Sequence, residues 1–87
     1  EDDSSDYVGL IRYAEGVKVA IFLRERDNFT KISMRAREGV SAQAICMTLG
    51  GGGHVAAAGA KVKGGIEEAK KQILVATEAE LRKHQLL

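Results

Sequence analysis

Val17-Lys18-Val19-Ala20-Ile21-Phe22-Leu23-Arg24-Glu25 and Phe29-Thr30-Lys31-Ile32-Ser33-Met34-Arg35-Ala36-Arg37 are two alternating runs separated by Arg26-Asp27-Asn28. Successive side chains of a strand point to opposite faces. Val17, Val19, Ile21 and Leu23 therefore share one side, and Lys18, Ala20, Phe22 and Arg24 the other. In the second run Ile32, Met34 and Ala36 face the core, while Lys31, Ser33, Arg35 and Arg37 form a polar stripe. The short polar turn between the runs predicts an antiparallel hairpin with one apolar face. Such a face has to be covered by helices.

The flanking segments supply them. Upstream, Tyr7, Leu10, Ile11 and Ala14 fall at helical spacing, with Ser5 or Asp6 as cap and Gly16 as stop. Downstream, Ser41 caps a predicted helix whose Ala42, Ile45, Cys46 and Leu49 share a face, and Gly50 ends it. Gly59–Lys63 reads as a third strand, with Ala60 and Val62 inward and Lys61 and Lys63 outward. Ile66–Leu81 is the longest predicted helix, with Ile66, Ala69, Ile73 and Ala76 inward, flanked by Leu74 and Leu81. Glu67 and Glu68 sit in its first turn and Arg82, Lys83 and His84 in its last, as the helix dipole prefers. His84 reads as a solvated end residue. The expected fold is α/β, a small mixed sheet of about three to five strands with helices mainly on one face, in the order α-β-β-α-β-α. If the third strand joins the hairpin, the open face carries Lys31, Ser33, Arg35, Lys61 and Lys63, a basic surface on a chain of net charge +1.

That near-zero charge excludes a general basic field for long nucleic acid, so any anion binding has to come from local arrangement. With 87 residues there is room for one domain. A single cysteine excludes an internal disulfide framework. Cys46 lies on an apolar helical face with no lysine or second histidine near it in sequence, and reads as core packing. The acidic start is not expected to be a secretory leader, no apolar run in the sequence is long enough for a bilayer, and a soluble cytoplasmic setting without membrane contact is expected. The chain opens without methionine on Glu1-Asp2-Asp3-Ser4-Ser5. It is therefore expected to be part of a longer protein, with residues 1–5 as an acidic linker and 6–87 as the domain.

Between the second helix and the third strand stands Gly50-Gly51-Gly52-Gly53-His54, followed by Val55-Ala56-Ala57-Ala58-Gly59. Four consecutive glycines are costly to order. They are tolerated where another group must approach the backbone or where positive φ is required. His54 adds a hydrogen-bonding side chain, and the small residues behind it are expected to start a tight helical turn whose free N–H groups suit an anion. This reads as a phosphate or nucleotide cradle; the competing reading is a flexible connector. No Gly-Lys-Ser/Thr follows, which excludes a P-loop. Gly51, Gly53 and Ala56 match a dinucleotide fingerprint, but a helix rather than a strand precedes them and no acidic ribose partner stands near position 76. No His/Asp cluster has metal-ligand spacing.

Lys31-Ile32-Ser33-Met34-Arg35, followed by Gly50-Gly51-Gly52-Gly53-His54 and Ala57-Ala58-Gly59, resembles the C-terminal DHH-associated domain of the DHH phosphoesterases. The likeness is greatest to the bifunctional oligoribonuclease and pAp phosphatase branch. Tyr7-Val8-Gly9-Leu10-Ile11 through Glu15-Gly16-Val17-Lys18-Val19-Ala20 is similar to the opening of that domain. The resemblance implies a substrate-binding domain. Its partners would be an N-terminal DHH domain of the same chain, which holds manganese, and a substrate that is a short oligonucleotide, pAp or a cyclic dinucleotide. Arg35 matches the family's substrate-contacting arginine, and Gly51, Gly52, Gly53 and His54 match its GGGH motif. Lys31 and Ser33, on the same stripe, are further candidates. Ala36 follows Arg35 where relatives often carry serine. Catalytic residues and metal ligands are expected in the DHH domain, with no cofactor bound by this chain. The rival function is a tethering module in which the glycines are a hinge.

Overall fold

A computed structural model describes residues 6–12, 18–37 and 39–83. The acidic linker 1–5, Ala14, the stop at Gly16, Val17 and the end residue His84 lie outside the described residues. Seven elements follow in the order β1 (Asp6–Arg12), β2 (Lys18–Glu25), β3 (Phe29–Ala36), α1 (Ala42–Met47), β4 (Gly52–Gly53), β5 (Ala57–Lys63) and α2 (Ile66–Lys83). The strands form one sheet of order β1-β2-β3-β5-β4.

The alternating runs make the expected hairpin, in register from Val19 opposite Ala36 to Glu25 opposite Thr30. Its turn is closed by the Arg26 amide donating to the Phe29 carbonyl at 2.7 Å. Val19, Ile21, Leu23, Ile32 and Met34 are buried, as their shared face requires. Removing each such side chain from water contributes roughly 1.5–3 kcal/mol. Ala60 and Val62 of β5 join the same layer. Over it lie Ala42, Ile45 and Cys46 of α1 and Ala69, Ile73 and Leu81 of α2, so both helices cover one face. Ser41 caps α1, its Oγ accepting from the Ala44 amide at 3.0 Å. Two buried residues of α2 escaped the apolar pattern, Thr77 and Glu80. Thr77 is accommodated because its hydroxyl donates to the Ile73 carbonyl one turn back, at 2.7 Å.

The α/β class, the strand number and the one-sided helices are as expected. Three details differ. Residues 6–12 are a strand, not a helix, paired with β2 from Asp6 opposite Arg24 to Arg12 opposite Lys18. A short apolar run fits either period. The free edge of β2 decides it, because an unpaired strand edge gains a ladder of hydrogen bonds from an extended neighbour. The sheet is antiparallel at every junction rather than mixed. After β3 the chain passes through six-residue α1 and reverses in the β4–β5 hairpin, so β5 runs back along β3. Finally, the small residues after His54 do not begin a helical turn. Ala57 and Ala58 already belong to β5.

Candidate functional site

The glycine run is an edge strand. Gly52 pairs with Gly59 and Gly53 with Ala58. The hairpin closes where the His54 amide donates to the Ala57 carbonyl at 2.8 Å and the Ala57 amide donates back at 3.2 Å, leaving Val55-Ala56 as the turn. Three further bonds hold this hairpin to the rest of the fold. The Ala36 amide donates to the Ala56 carbonyl at 3.0 Å, and the Ala42 amide to the Val55 carbonyl at 2.7 Å. Gln43 Nε2 donates to the Gly53 carbonyl at 2.9 Å. A connector with nothing to anchor it is therefore not what the chain builds here.

The glycines have separate reasons. Gly50 stops α1 at φ +85. At Gly51 a Cβ would overlap the Gly59 carbonyl oxygen and stand 2.7 Å from Ala60 Cα. Gly53 sits at φ +146, with Ala58 Cα 2.6 Å from where a Cβ would be. Gly59 backs onto the Ile32 carbonyl at 2.8 Å in the same sense. Gly52 differs. A Cβ there would meet nothing within 4 Å, and its φ lies outside the positive region. Packing therefore does not require glycine at position 52.

Amide supply is also uneven. The Gly50 amide donates to the Met47 carbonyl at 3.0 Å and the Gly51 amide to the Cys46 carbonyl at 2.9 Å, so both serve the end of α1. Bonded and non-bonded pairs alternate in an antiparallel ladder. Because His54 and Ala57 form a bonded pair, the next pair, Gly53 and Ala58, is non-bonded and turns the Gly53 N–H off the free edge of β4.

Pairing brings Arg35 and His54 together. Arg35 stands opposite Ala57 across the β3–β5 seam. His54 stands opposite Ala57 on the other side. Residues directly opposite share a face, so Arg35 and His54 flank one alanine on the open side of the sheet. Two strand spacings separate their backbones by about 10 Å. Both side chains are exposed. Two long polar side chains at that spacing can meet a group of phosphate size between them, over a floor that Ala57 and Gly52 keep low. Ser33 and Lys31 lie farther along β3 on the same face, both exposed. Arg35, His54, Ser33 and Lys31 therefore fall on one side of one sheet, whereas Gly53, opposite the core-packed Ala58, alternates to the other. Phe22 was not singled out, although its place on the polar side of β2 was readable. It pairs with Ser33 and remains 39% exposed.

Cys46 is fully buried, and burial pushes its thiol above the ordinary value of 9.0, which removes it from nucleophilic chemistry. Among the described residues no three of His, Cys, Asp and Glu are grouped so as to hold a metal ion. No helix among them is long and apolar enough to cross a membrane.

Residues 1–83 match the DHHA1 domain family. The chain is also 55% identical over 82 residues to the bifunctional oligoribonuclease and PAP phosphatase NrnA of Thermus thermophilus, an alignment covering 93% of this chain and 25% of that protein. The chain thus spans about a quarter of the length of that relative.

Proposed function

Because the chain belongs to the DHHA1 domain family, we propose that it is the substrate-binding domain of a DHH phosphoesterase acting on short oligonucleotides, pAp or a cyclic dinucleotide. The observation that carries the reading is the pairing of Arg35 and His54 on either side of Ala57, on an open face. In this reading the Arg35 guanidinium grips two oxygens of one phosphate through its planar fork. His54 donates to the same group where negative charge develops in the transition state. The Gly53 N–H points off the free edge of β4, away from Arg35, so the two side chains rather than the glycine amides hold the phosphate, and bare Gly52 lets it approach. The chain binds and orients substrate; it does not itself break the bond. Its described residues do not fit a metal centre, so no step through manganese is assigned to them. Manganese belongs to an N-terminal DHH domain in the same longer chain. The quarter-length match to a bifunctional enzyme supports such a partner. A cytoplasmic setting fits an enzyme of this kind. The hinge reading loses ground because hydrogen bonds hold the glycine hairpin to β3 and α1.

The test is made in the intact protein with manganese present. Charge-assisted contacts of about 1.5–3 kcal/mol predict a loss of roughly 10- to 100-fold in kcat/KM for Arg35→Ala. Lysine should rescue it only in part. His54→Ala should lower kcat more than it raises KM. The double variant should lose less than the product of the single losses, as for groups that share one ligand. Independent, fully multiplicative losses would refute the shared phosphate.

A further inference from the structure

The same open face carries a second basic position that the Arg35–His54 reading does not use. Lys31 on β3 stands directly opposite Lys61 on β5. Like charges directly opposite on a sheet destabilise it. Lys61 leans outward over Phe29, its Nζ 5.2 Å from the ring centroid. Lys31 makes no hydrogen bond or ion pair with any described residue. Arg24 continues the row on β2. Beneath the two lysines is a shallow hollow of about 320 Å³ whose remaining walls are Gly50, Gly51, Gly59 and Ala60. The glycine run thus borders this hollow as well as the Arg35–His54 position.

The two positions are too far apart for one phosphate. Lys31 and Arg35 are four residues apart on one strand, about 13 Å at 3.3 Å per residue. Midway between them is the row Phe22, Ser33, Gly59, Gly52, in which Phe22, still 39% exposed, has on its β3 side only residues too small to cover it. Apart from Asp6 in the register of β1, no acidic residue falls on this face in the pairing of β2, β3 and β5. Cations at both ends and one exposed ring between them suit a single-stranded nucleic acid, whose bases stack on aromatic rings while its phosphates follow positive charge.

We propose that Lys31 and Lys61 form a second phosphate subsite, with Phe22 as a base-stacking surface between it and Arg35, so that the face holds oligonucleotides of two or more nucleotides along the β3–β5 seam. The proposal rests on the reading that Arg35 and His54 hold the first phosphate. It makes the lysine pair a determinant of preference for oligonucleotides over mononucleotides.

The experiment titrates the intact protein, in EDTA to stop turnover, with 5′-phosphorylated triadenylate and with adenosine 5′-monophosphate across a salt series. Lys31→Ala and Lys61→Ala should each weaken the trinucleotide about 5-fold and flatten its log Kd against log salt slope by about 0.7, leaving the mononucleotide within 2-fold. Phe22→Ala should weaken the trinucleotide by at least about 5-fold. Without ligand, Lys31→Ala should melt no lower than the wild type, because a like-charge contact is relieved, and this excludes misfolding as the cause; Lys61→Ala also loses the Phe29 ring contact, so its fold is checked by an unchanged far-ultraviolet circular dichroism spectrum at the assay temperature. If the lysine variants bind the trinucleotide as wild type while Arg35→Ala weakens both ligands, the subsite is overturned and the first phosphate site stands. An Arg35→Ala protein that binds both ligands normally removes the first site, and the subsite with it. Loss of the mononucleotide in the lysine variants would merge the two positions and refute the proposal. So would unchanged nucleotide binding together with loss of a copurifying protein, which would assign the face to a protein partner.

Discussion

Adjacent glycines that look alike in sequence should answer the same substitution in opposite ways. In Gly51→Ala the new methyl overlaps the Gly59 carbonyl oxygen and lies 2.7 Å from both Cα and Cβ of Ala60. Those atoms are backbone, or fixed to it, in a strand paired on both sides, so no side chain can rotate out of the way. Overpacking costs typically 1–3 kcal/mol, and a backbone clash belongs at the upper end, about 3 kcal/mol. The entropy gained by removing a glycine from the unfolded chain offsets about 0.4–1 kcal/mol of that. A net loss of about 2 kcal/mol lowers Tm by roughly 8–16 °C in a domain of this size. For Gly52→Ala the entropic gain stands alone, because nothing lies within 4 Å of the added methyl, and Tm should hold or rise by a few degrees. That methyl does project from the open face beside His54. In the intact protein Gly52→Ala should therefore weaken nucleotide binding about 10-fold or more while the fold is kept. Thermal melts by circular dichroism and a nucleotide titration give both readings. Equal Tm losses in the two variants would refute the packing account. Normal binding by a stable Gly52→Ala protein would refute the claim that position 52 is bare for a ligand.

Ser41→Ala removes the side-chain acceptor for the Ala44 amide and should lower stability by about 1 kcal/mol in urea unfolding, with Asp in its place restoring most of it. Native hydrogen exchange should show the Gly51 amide, bonded to the Cys46 carbonyl, slower than the Gly53 amide at the free edge; the reverse order would contradict the hairpin. Burial raises the Cys46 pKa, so the folded state keeps a proton that the unfolded state releases above its ordinary value of 9.0. Stability attributable to this thiol is full below that pH and declines as pH rises toward the folded pKa. The decline should be smaller in Cys46→Ala, and native Cys46 should resist alkylation at pH 8.

Much of the fold is present in local pattern. The alternation in Val19–Leu23 and Lys31–Arg35 marks a hairpin with one buried face, because a strand exposes its period directly. Ser41 and the spacing of Ala42, Ile45 and Cys46 mark α1 for the same reason. Candidate residues were legible where they stood against that pattern: Arg35 on a polar stripe, four glycines and a histidine where no element wants them. Long-range pairing is what no local pattern contains. Tyr7-Val8-Gly9-Leu10-Ile11 satisfies either period, and only the free edge of β2 makes it a strand. Gly52 and Gly53 carry no side chains to declare a strand, yet they pair with β5, and this pairing sets His54 across Ala57 from Arg35. The same register puts Lys31 against Lys61 and separates Gly51, which the fold requires, from Gly52, which it does not. Composition and period determined which faces are apolar. Which side chains meet across the sheet was decided by strand register, where a shift of one residue turns every side chain to the opposite face.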